Sequence, residues 1–180
     1  MFDESSIIRL LQDEKSRALA FTQVVEQYKE RLYWQIRRMV INHEDTDDIL
    51  QNVFIKAWTG LDNFRGESKL STWLYRIATN ETLNFLEREK KPHTSIDDEG
   101  NGIVHQLESA PYFDGDETQR QLIAAMDTLP DKQRQVFTLK YFDEMKYEEM
   151  SQVLGTSVGA LKASYHHAVK KIADFFHSLD

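Results

Sequence analysis

The chain has 180 residues, no cysteine and a formal net charge of −8. Its 41% of apolar residues are enough to build cores, which excludes global disorder, and the lack of cysteine excludes disulfides and thiolate zinc sites. The acidic N-terminus predicts no signal peptide and no apolar run is long enough to span a membrane, so we expect a cytoplasmic protein.

The negative charge is concentrated in one stretch of the chain. Residues 92–117 carry seven acidic side chains and no lysine or arginine, whereas residues 18–91 and 118–180 each balance their charges. The acidic stretch also contains three glycines and lacks sustained periodicity. It is therefore predicted to be a flexible linker between a first domain at 1–91 and a second at 118–180.

Both flanking segments have helical periodicity. Apolar residues recur every three to four positions from Phe21 to Val40 and again from Ile49 to Leu61, after an acidic start that suits a helix N-terminus. No segment shows a convincing period of two. The fold class is therefore predicted to be all-α, with two small helical domains.

The second domain contains the pattern of a helix-turn-helix. Helices are predicted near residues 131–142 and 147–154, and a third is expected after Gly155 and Thr156. Gly155 stands where a tight turn needs positive φ, and Ser157 can cap the last helix. This pattern is typical of DNA-binding modules.

Residues 69–91 carry a polar stripe of mixed chemistry on one helical face. The stripe consists of Trp73, Arg76, Asn80, Asn84 and Arg88. Aromatic rings stack on unpaired bases, amides hydrogen-bond to base edges and arginines hold phosphates, so the stripe suits single-stranded DNA. The alternative, that Trp73 is core and the rest ordinary surface, stays open.

A glycine-containing loop at 61–71 precedes this helix. With Phe64 and Arg65 it could wall a pocket for a flipped base, or Phe64 could simply plug the core. In the last predicted helix, Lys162, His166, His167 and Lys170 lie largely outside the apolar seam. That placement suits a helix in the major groove, although an ordinary amphipathic helix would show it too.

No metal or cofactor is predicted. His166 and His167 are neighbours that point about 100° apart on a helix, and no carboxylate follows at the spacing of a ligand pair. The acids around His43 stand at a helix start, where capping or partner contacts are the usual role.

Together these segments resemble the sigma factors of bacterial RNA polymerase, in the extracytoplasmic-function (ECF) type of the sigma-70 superfamily. The resemblance rests on DTDDILQNVFIKAW at 45–58, on STWLYRIATNETLNFLEREKK at 71–91, and on the segment at 129–172. It implies that residues 1–91 are sigma region 2, which binds core polymerase and melts the minus-ten element. It also implies that residues 118–180 are sigma region 4, which recognises the minus-thirty-five element.

The resemblance assigns roles to individual residues. The polymerase-binding positions are Asp47, Asp48, Gln51, Asn52, Phe54 and Lys56. The minus-ten positions are Phe64, Arg65, Lys69, Trp73, Arg76, Asn80, Asn84 and Arg88. The minus-thirty-five positions are Ser157, Lys162, His166, His167 and Lys170.

The chain departs from the family pattern in its last helix. Three arginines common in the family are replaced by Ser164, His167 and Val169, which removes up to three phosphate anchors. Asn52 stands where an acid is commoner. The acidic linker resembles the family connector, which threads basic channels of the polymerase.

The sequence thus predicts a monomeric promoter-specificity subunit rather than an enzyme, with core polymerase and promoter DNA as partners. The resemblance further implies an anti-sigma factor, which can be membrane-bound, and no small-molecule substrate. Two rival hypotheses are a stand-alone helix-turn-helix regulator and a metal-dependent helical hydrolase built around His43. The latter would need a second ligand cluster.

Overall fold

The computed structural model describes residues 1–40, 42–90 and 116–180. All regular structure in those residues is helical, which confirms the predicted all-α class. The helices are α1 (Glu4–Gln12), α2 (Arg17–Arg37), α3 (His43–Gly60), α4 (Leu70–Glu89), α5 (Glu117–Asp127), α6 (Asp131–Tyr141), α7 (Tyr147–Leu154) and α8 (Val158–His177). A short 3-10 turn, Leu61–Asn63, directly follows α3.

The predicted linker lies almost entirely outside the described residues. Its last two positions are described, and they belong to the start of the second module. Asp116 is the N-cap of α5 and its side chain accepts a hydrogen bond from the Gln119 amide at 2.9 Å. Asp116 thus caps the first described helix of the second module.

Helices α1 to α4 form the first module, and the predicted apolar positions are its core. Leu32 and Ile36 of α2, Val53 of α3 and Leu74 of α4 are fully buried. Helix α3 begins at Asn42, whose side chain accepts a hydrogen bond from the Glu44 amide at 2.8 Å. These contacts fix which faces of α3 and α4 remain outside.

The helix-turn-helix has the predicted geometry. Gly155 ends α7 in the left-handed conformation at φ +65°, where a residue with a Cβ would be strained. Ser157 caps α8 by accepting a hydrogen bond from the Ala160 amide at 3.2 Å. Helix α5 covers the other side of this module, where Ala125 and Met126 pack with Ala168 of α8.

The two modules share an apolar interior. Leu70 and Leu74 of α4 belong to the same buried cluster as Leu139 of α6 and Met150 and Val153 of α7. Polar ties run along the border of this cluster. The buried Arg134 of α6 donates from Nη2 to the carbonyl oxygen of Met39 at 2.8 Å, just beyond α2.

An acidic side chain is buried where the modules meet. Asp143, in the turn after α6, lies 3.8 Å from the guanidinium of Arg38. Burial raises the pKa of Asp143 to about 6, although Arg38 and Arg31 of the first module both favour its ionised form. Burial, together with the nearby Asp143 charge, likewise raises the pKa of Tyr75 to about 12. The junction is therefore dry enough for desolvation to outweigh the attraction of two arginines.

This burial predicts a pH-dependent stability. Because the pKa of Asp143 is higher in the folded chain than its ordinary value of 3.8, the folded chain binds the proton more tightly. Its contribution to the free energy of unfolding should be fully present below pH 4 and decline as the pH rises through 6. The slope reaches at most about 1.4 kcal/mol per pH unit. The free energy of unfolding of Asp143→Asn, measured by urea denaturation, should not show this decline.

Asp174→Asn on the exposed face of α8 is the matched control, and it should keep the wild-type pH dependence. If the unfolding free energies of wild type and Asp143→Asn changed in parallel between pH 4 and 7, the pH dependence could not be assigned to Asp143.

Candidate nucleic-acid interface

Helix α4 presents the predicted polar stripe on its exposed face. Leu70, Leu74 and Ala78 are fully buried in the apolar interior that the two modules share. The opposite face therefore points outward, with Arg76, Asn80, Asn84 and Arg88 exposed and Trp73 half-buried. The structure thus brings together on one helix face five of the eight residues expected at the minus-ten element.

A cavity of about 510 Å³ lies beside this stripe, between α3 and α4. It is lined by Lys56, Gly60, Asn63, Trp73, Ile77, Asn80, Glu81 and Asn84. Three asparagine amides and one indole ring thus surround the same space. A planar ring with hydrogen-bonding edges, such as a nucleobase, fits this combination.

Trp73 forms the aromatic wall of the cavity and Phe64 supports it. The two ring centroids are 4.8 Å apart, and Phe64 is only 7% exposed. A Cβ placed on Gly60 would lie 3.4 Å from the indole, so glycine lets the ring lie close to α3. Of the two alternatives for Phe64, the structure supports the core position. The ring lies beneath Trp73 and is almost entirely covered. Arg65 beside it is exposed.

An ion pair forms the polar side of the cavity. Glu81 is 8% exposed and its carboxylate is paired with the ammonium group of Lys56. Lys56, which the resemblance assigned to polymerase binding, therefore also lines the cavity. Glu81 and Asn63 were not among the predicted site residues. A signal for Glu81 was present, because it adjoins the buried Thr82 on a core-facing side of α4, where a carboxylate needs a cation.

Two cations of the predicted minus-ten set, Lys69 and Arg76, contact α7. Lys69 Nζ lies 3.0 Å from Glu149 Oε1, and this hydrogen bond raises the pKa of Lys69. Arg76 donates from Nε and Nη2 to the carbonyl oxygen of Gln152 at 3.0 and 2.5 Å. Lys69, which precedes the stripe, and Arg76 within it are thus engaged by the second module, whereas Asn80, Asn84 and Arg88 are exposed.

Helix α3 has a second exposed surface that combines acidic, amide and apolar side chains. Asp47, Asp48, Gln51 and Asn52 are exposed, and Phe54 is half-buried with its ring 6.4 Å from that of Phe21. Two large apolar side chains follow on the same helix, Ile55 at 54% and Trp58 at 42% exposure. Sequence reasoning did not select Ile55 or Trp58 for docking, although apolar residues at this spacing indicate a face.

Helix α8 presents the predicted basic surface. Leu161, Ala168 and Ile172 are buried, so Lys162, His166, His167 and Lys170 point away from the core and are exposed. The ring of Tyr165 lies nearly parallel to that of Phe137 at 5.9 Å and anchors α8 to α6. Ser157, which was also predicted at the minus-thirty-five element, is the N-cap residue of α8.

The histidine around which a hydrolase was considered has protein partners at both ring nitrogens. His43 Nδ1 lies 2.6 Å from the Tyr33 hydroxyl, and Nε2 lies 3.2 Å from an oxygen of Asp47. No group of three metal-binding side chains occurs in the described ranges 1–40, 42–90 and 116–180. None of the helices in the described part of the chain combines the length and apolarity needed to cross a membrane.

Comparison with known proteins identifies the family. The profile of sigma-70 region 2 matches residues 24–91, and that of sigma-70 region 4 matches residues 119–172. The ECF RNA polymerase sigma factor SigW of Bacillus subtilis (strain 168) is 35% identical over 168 residues, which cover 88% of this chain and 89% of SigW. The ECF RNA polymerase sigma-E factor of Escherichia coli (strain K12) is 30% identical over 168 residues, covering 88% and 87% of the two chains.

Solved structures share the fold. CnrH, solved in complex with the cytosolic domain of CnrY, matches with a TM-score of 0.72 at 23% identity and covers 97% of both chains. The sigma factor RpoE of Bartonella quintana, solved in complex with the anti-sigma factor NepR, matches with a TM-score of 0.69 at 20% identity, covering 87% of this chain and 96% of RpoE. With both region profiles present in order and curated relatives at 30% identity or more, the chain belongs to the ECF sigma factors of the sigma-70 family.

Proposed function

We propose that this chain directs core RNA polymerase to promoters and stabilises the opened minus-ten strand on α4, while α8 recognises the minus-thirty-five duplex. The observation that carries the proposal is the cavity between α3 and α4, because an indole wall and three amides adjoin an exposed stripe with arginines.

The cavity suits one unpaired base of the non-template strand. The base would stack on the half-buried Trp73, and the amides of Asn80 and Asn84 would hydrogen-bond to its edges. Arg88, further along α4, would hold the backbone. Stacking contributes about 1–3 kcal/mol per base, which is comparable with the few kcal/mol needed to extrude one base from the duplex. Binding of this kind favours opening, while bond formation is left to the polymerase.

The exposed surface of α3 is the proposed polymerase-docking face. Its acidic part, Asp47 and Asp48, would attract a basic helical partner. Its apolar part, Ile55 and Trp58, would be covered on binding. This combination of a desolvated apolar contact and steering charges is typical of specific protein interfaces.

Helix α8 is proposed to enter the major groove with Lys162, His166, His167 and Lys170, because this surface is exposed and basic. With Ser164, His167 and Val169 in place of the usual arginines, duplex binding should depend strongly on attachment to polymerase. An anti-sigma factor is a further proposed partner, as NepR is for RpoE. No observation favours the rival of a stand-alone regulator.

Run-off transcription tests the central proposal. Purified core polymerase should yield new transcripts from a genomic promoter library only when the chain is added. The products are mapped by sequencing of their 5′ ends. A library that gives identical start sites with and without the chain would refute the proposed function.

Asn80→Ala should impair promoter opening more than closed-complex binding, because Asn80 lines the cavity and would contact only an unpaired base. Loss of one amide-base contact of about 1–3 kcal/mol should lower the open fraction roughly 5- to 100-fold. Permanganate reactivity of unpaired thymines measures opening, and protection of the duplex measures closed binding. Gln23→Ala, an exposed amide on α2, is the matched control. Equal losses in both steps would argue against strand capture.

Asp48→Lys should weaken binding to core polymerase about ten-fold, equivalent to ~1.4 kcal/mol, because it replaces attraction to a basic partner by repulsion. Fluorescence anisotropy of the labelled chain titrated with core polymerase measures the affinity. Glu30→Lys makes the same charge change at an exposed position of α2 and should leave the affinity unchanged. Equal affinities of the two variants would remove Asp48 from the docking face.

A further inference from the structure

Helix α1 contacts the start of the proposed strand-binding helix α4. Glu4 Oε1 accepts a hydrogen bond from the Leu70 amide at 2.6 Å, across 66 positions of sequence. This amide ends the lead-in loop, residues 61–69, which connects α3 with α4. The lead-in loop carries Asn63 of the cavity wall and Phe64 beneath the indole. Helix α1 therefore contacts the chain at the point where the loop becomes the helix.

The contact from Glu4 replaces a cap that the local sequence lacks. The N-cap residue of α4 is Lys69, whose side chain makes no capping hydrogen bond, and the first turn of α4 contains no acid. The first amides of a helix have no partners within it and carry a partial positive charge. The carboxylate of Glu4 accepts from one of these amides and complements that charge. Helix α1 thus helps to fix where α4 begins.

Two further contacts attach the lead-in loop to the region of α1. The guanidinium of Arg17 donates from Nε to the carbonyl oxygen of Leu11 at 2.8 Å, and its Nη1 lies 2.9 Å from Asp62 Oδ1. Gly66 has a φ of +71°, and a Cβ on it would lie 3.8 Å from Cγ2 of Ile8. The loop is therefore held near its beginning and its middle as well as at its end.

Helix α1 is itself anchored in the core. Ile7 and Leu11 are 5% and 3% exposed, and they belong to the same buried cluster as Leu61 and Phe64 of the lead-in loop. Movement of α1 would expose these side chains to water, which opposes it. The region 2 profile begins at residue 24, so α1 lies outside the part of the chain that this profile matches.

The contact of Glu4 concerns one of the proposed surfaces and not the other two. Polymerase docking is proposed for α3 and duplex recognition for α8, and neither surface includes Glu4 or Leu70. The cavity, by contrast, has Asn63 of the lead-in loop and Trp73 of α4 in its wall. A change at the junction of loop and helix therefore alters the cavity first.

We propose that α1 is a positioning element for strand capture, in which Glu4 fixes the junction of the lead-in loop and α4 and so holds the cavity in the shape that receives an unpaired base. This inference rests on the proposed function of α4. Glu4 acts through Leu70 and is a positioning residue, not a DNA contact. Without it, Asn63 and Phe64 are free to shift relative to Trp73, which weakens stacking on the indole.

Promoter opening by Glu4→Ala tests the proposal, with core polymerase and a promoter identified by run-off transcription. The ratio of open to closed complexes, measured by permanganate reactivity, should fall about five-fold, the size expected for loss of one helix cap. The affinity for core polymerase and the protection of the closed duplex should stay at their wild-type values. A general loss of stability would instead lower all three together.

Two further variants separate positioning from a loss of charge. Glu4→Gln keeps an oxygen that can accept from the Leu70 amide, so it should retain most of the wild-type opening. Glu14→Ala removes the same type of carboxylate from an exposed position between α1 and α2 and is the matched control. It should open promoters as wild type does.

Hydrogen exchange measures the positioning without DNA or polymerase. Amides in peptides that span residues 61–73 should exchange about five-fold faster in Glu4→Ala than in Glu14→Ala, because the junction opens more often. Mass spectrometry of the peptides gives the rates. Exchange in α8 should be the same in both variants.

Equal exchange of residues 61–73 in Glu4→Ala and Glu14→Ala would overturn the inference. So would a polymerase affinity of Glu4→Ala that falls as much as its promoter opening. A wild-type chain that yields no transcripts refutes the proposed function, and the inference with it. A wild-type chain that transcribes, while Glu4→Ala opens promoters as well as Glu14→Ala does, refutes the role of α1 alone.

Discussion

The burial of one face of α4 is the constraint on which the rest of the structure depends. Leu70, Leu74 and Ala78 are withdrawn completely from solvent, so the helix cannot rotate without exposing them. The opposite face is thereby fixed, and it meets two neighbours. Helix α3 stands beside it to form the cavity, and α7, which packs on the buried side of α4 through Met150, reaches its border at Arg76.

The same side-chain chemistry serves both neighbours. A guanidinium that donates from two nitrogens can bind a helix-end carbonyl oxygen or a phosphate, and an ammonium group pairs with a carboxylate or a phosphate. Arg76 and Lys69 use these properties within the chain. The surface proposed to bind an anionic strand is thus also suited to acidic and helix-terminal groups of the second module.

Local structure followed from the sequence because its causes are local. The end of α7 is set by Gly155 and the start of α8 by Ser157, and both act on the backbone within a few residues. The stripe on α4 likewise follows from the helical repeat alone. Family motifs added the order of the two modules, which the region 2 and region 4 profiles confirm.

The sequence by itself therefore determined the all-α class, the helix-turn-helix and the polar face of α4, because periodicity and caps depend on neighbours along the chain. Only the tertiary structure decided that Phe64 backs Trp73, that Glu81 pairs with Lys56 and that Asp143 is buried beside Arg38. It also decided that the modules share a core. These outcomes depend on the packing of distant segments. The helical repeat could place Glu81 on the core-facing side of α4, but it could not identify the cation that pairs with it.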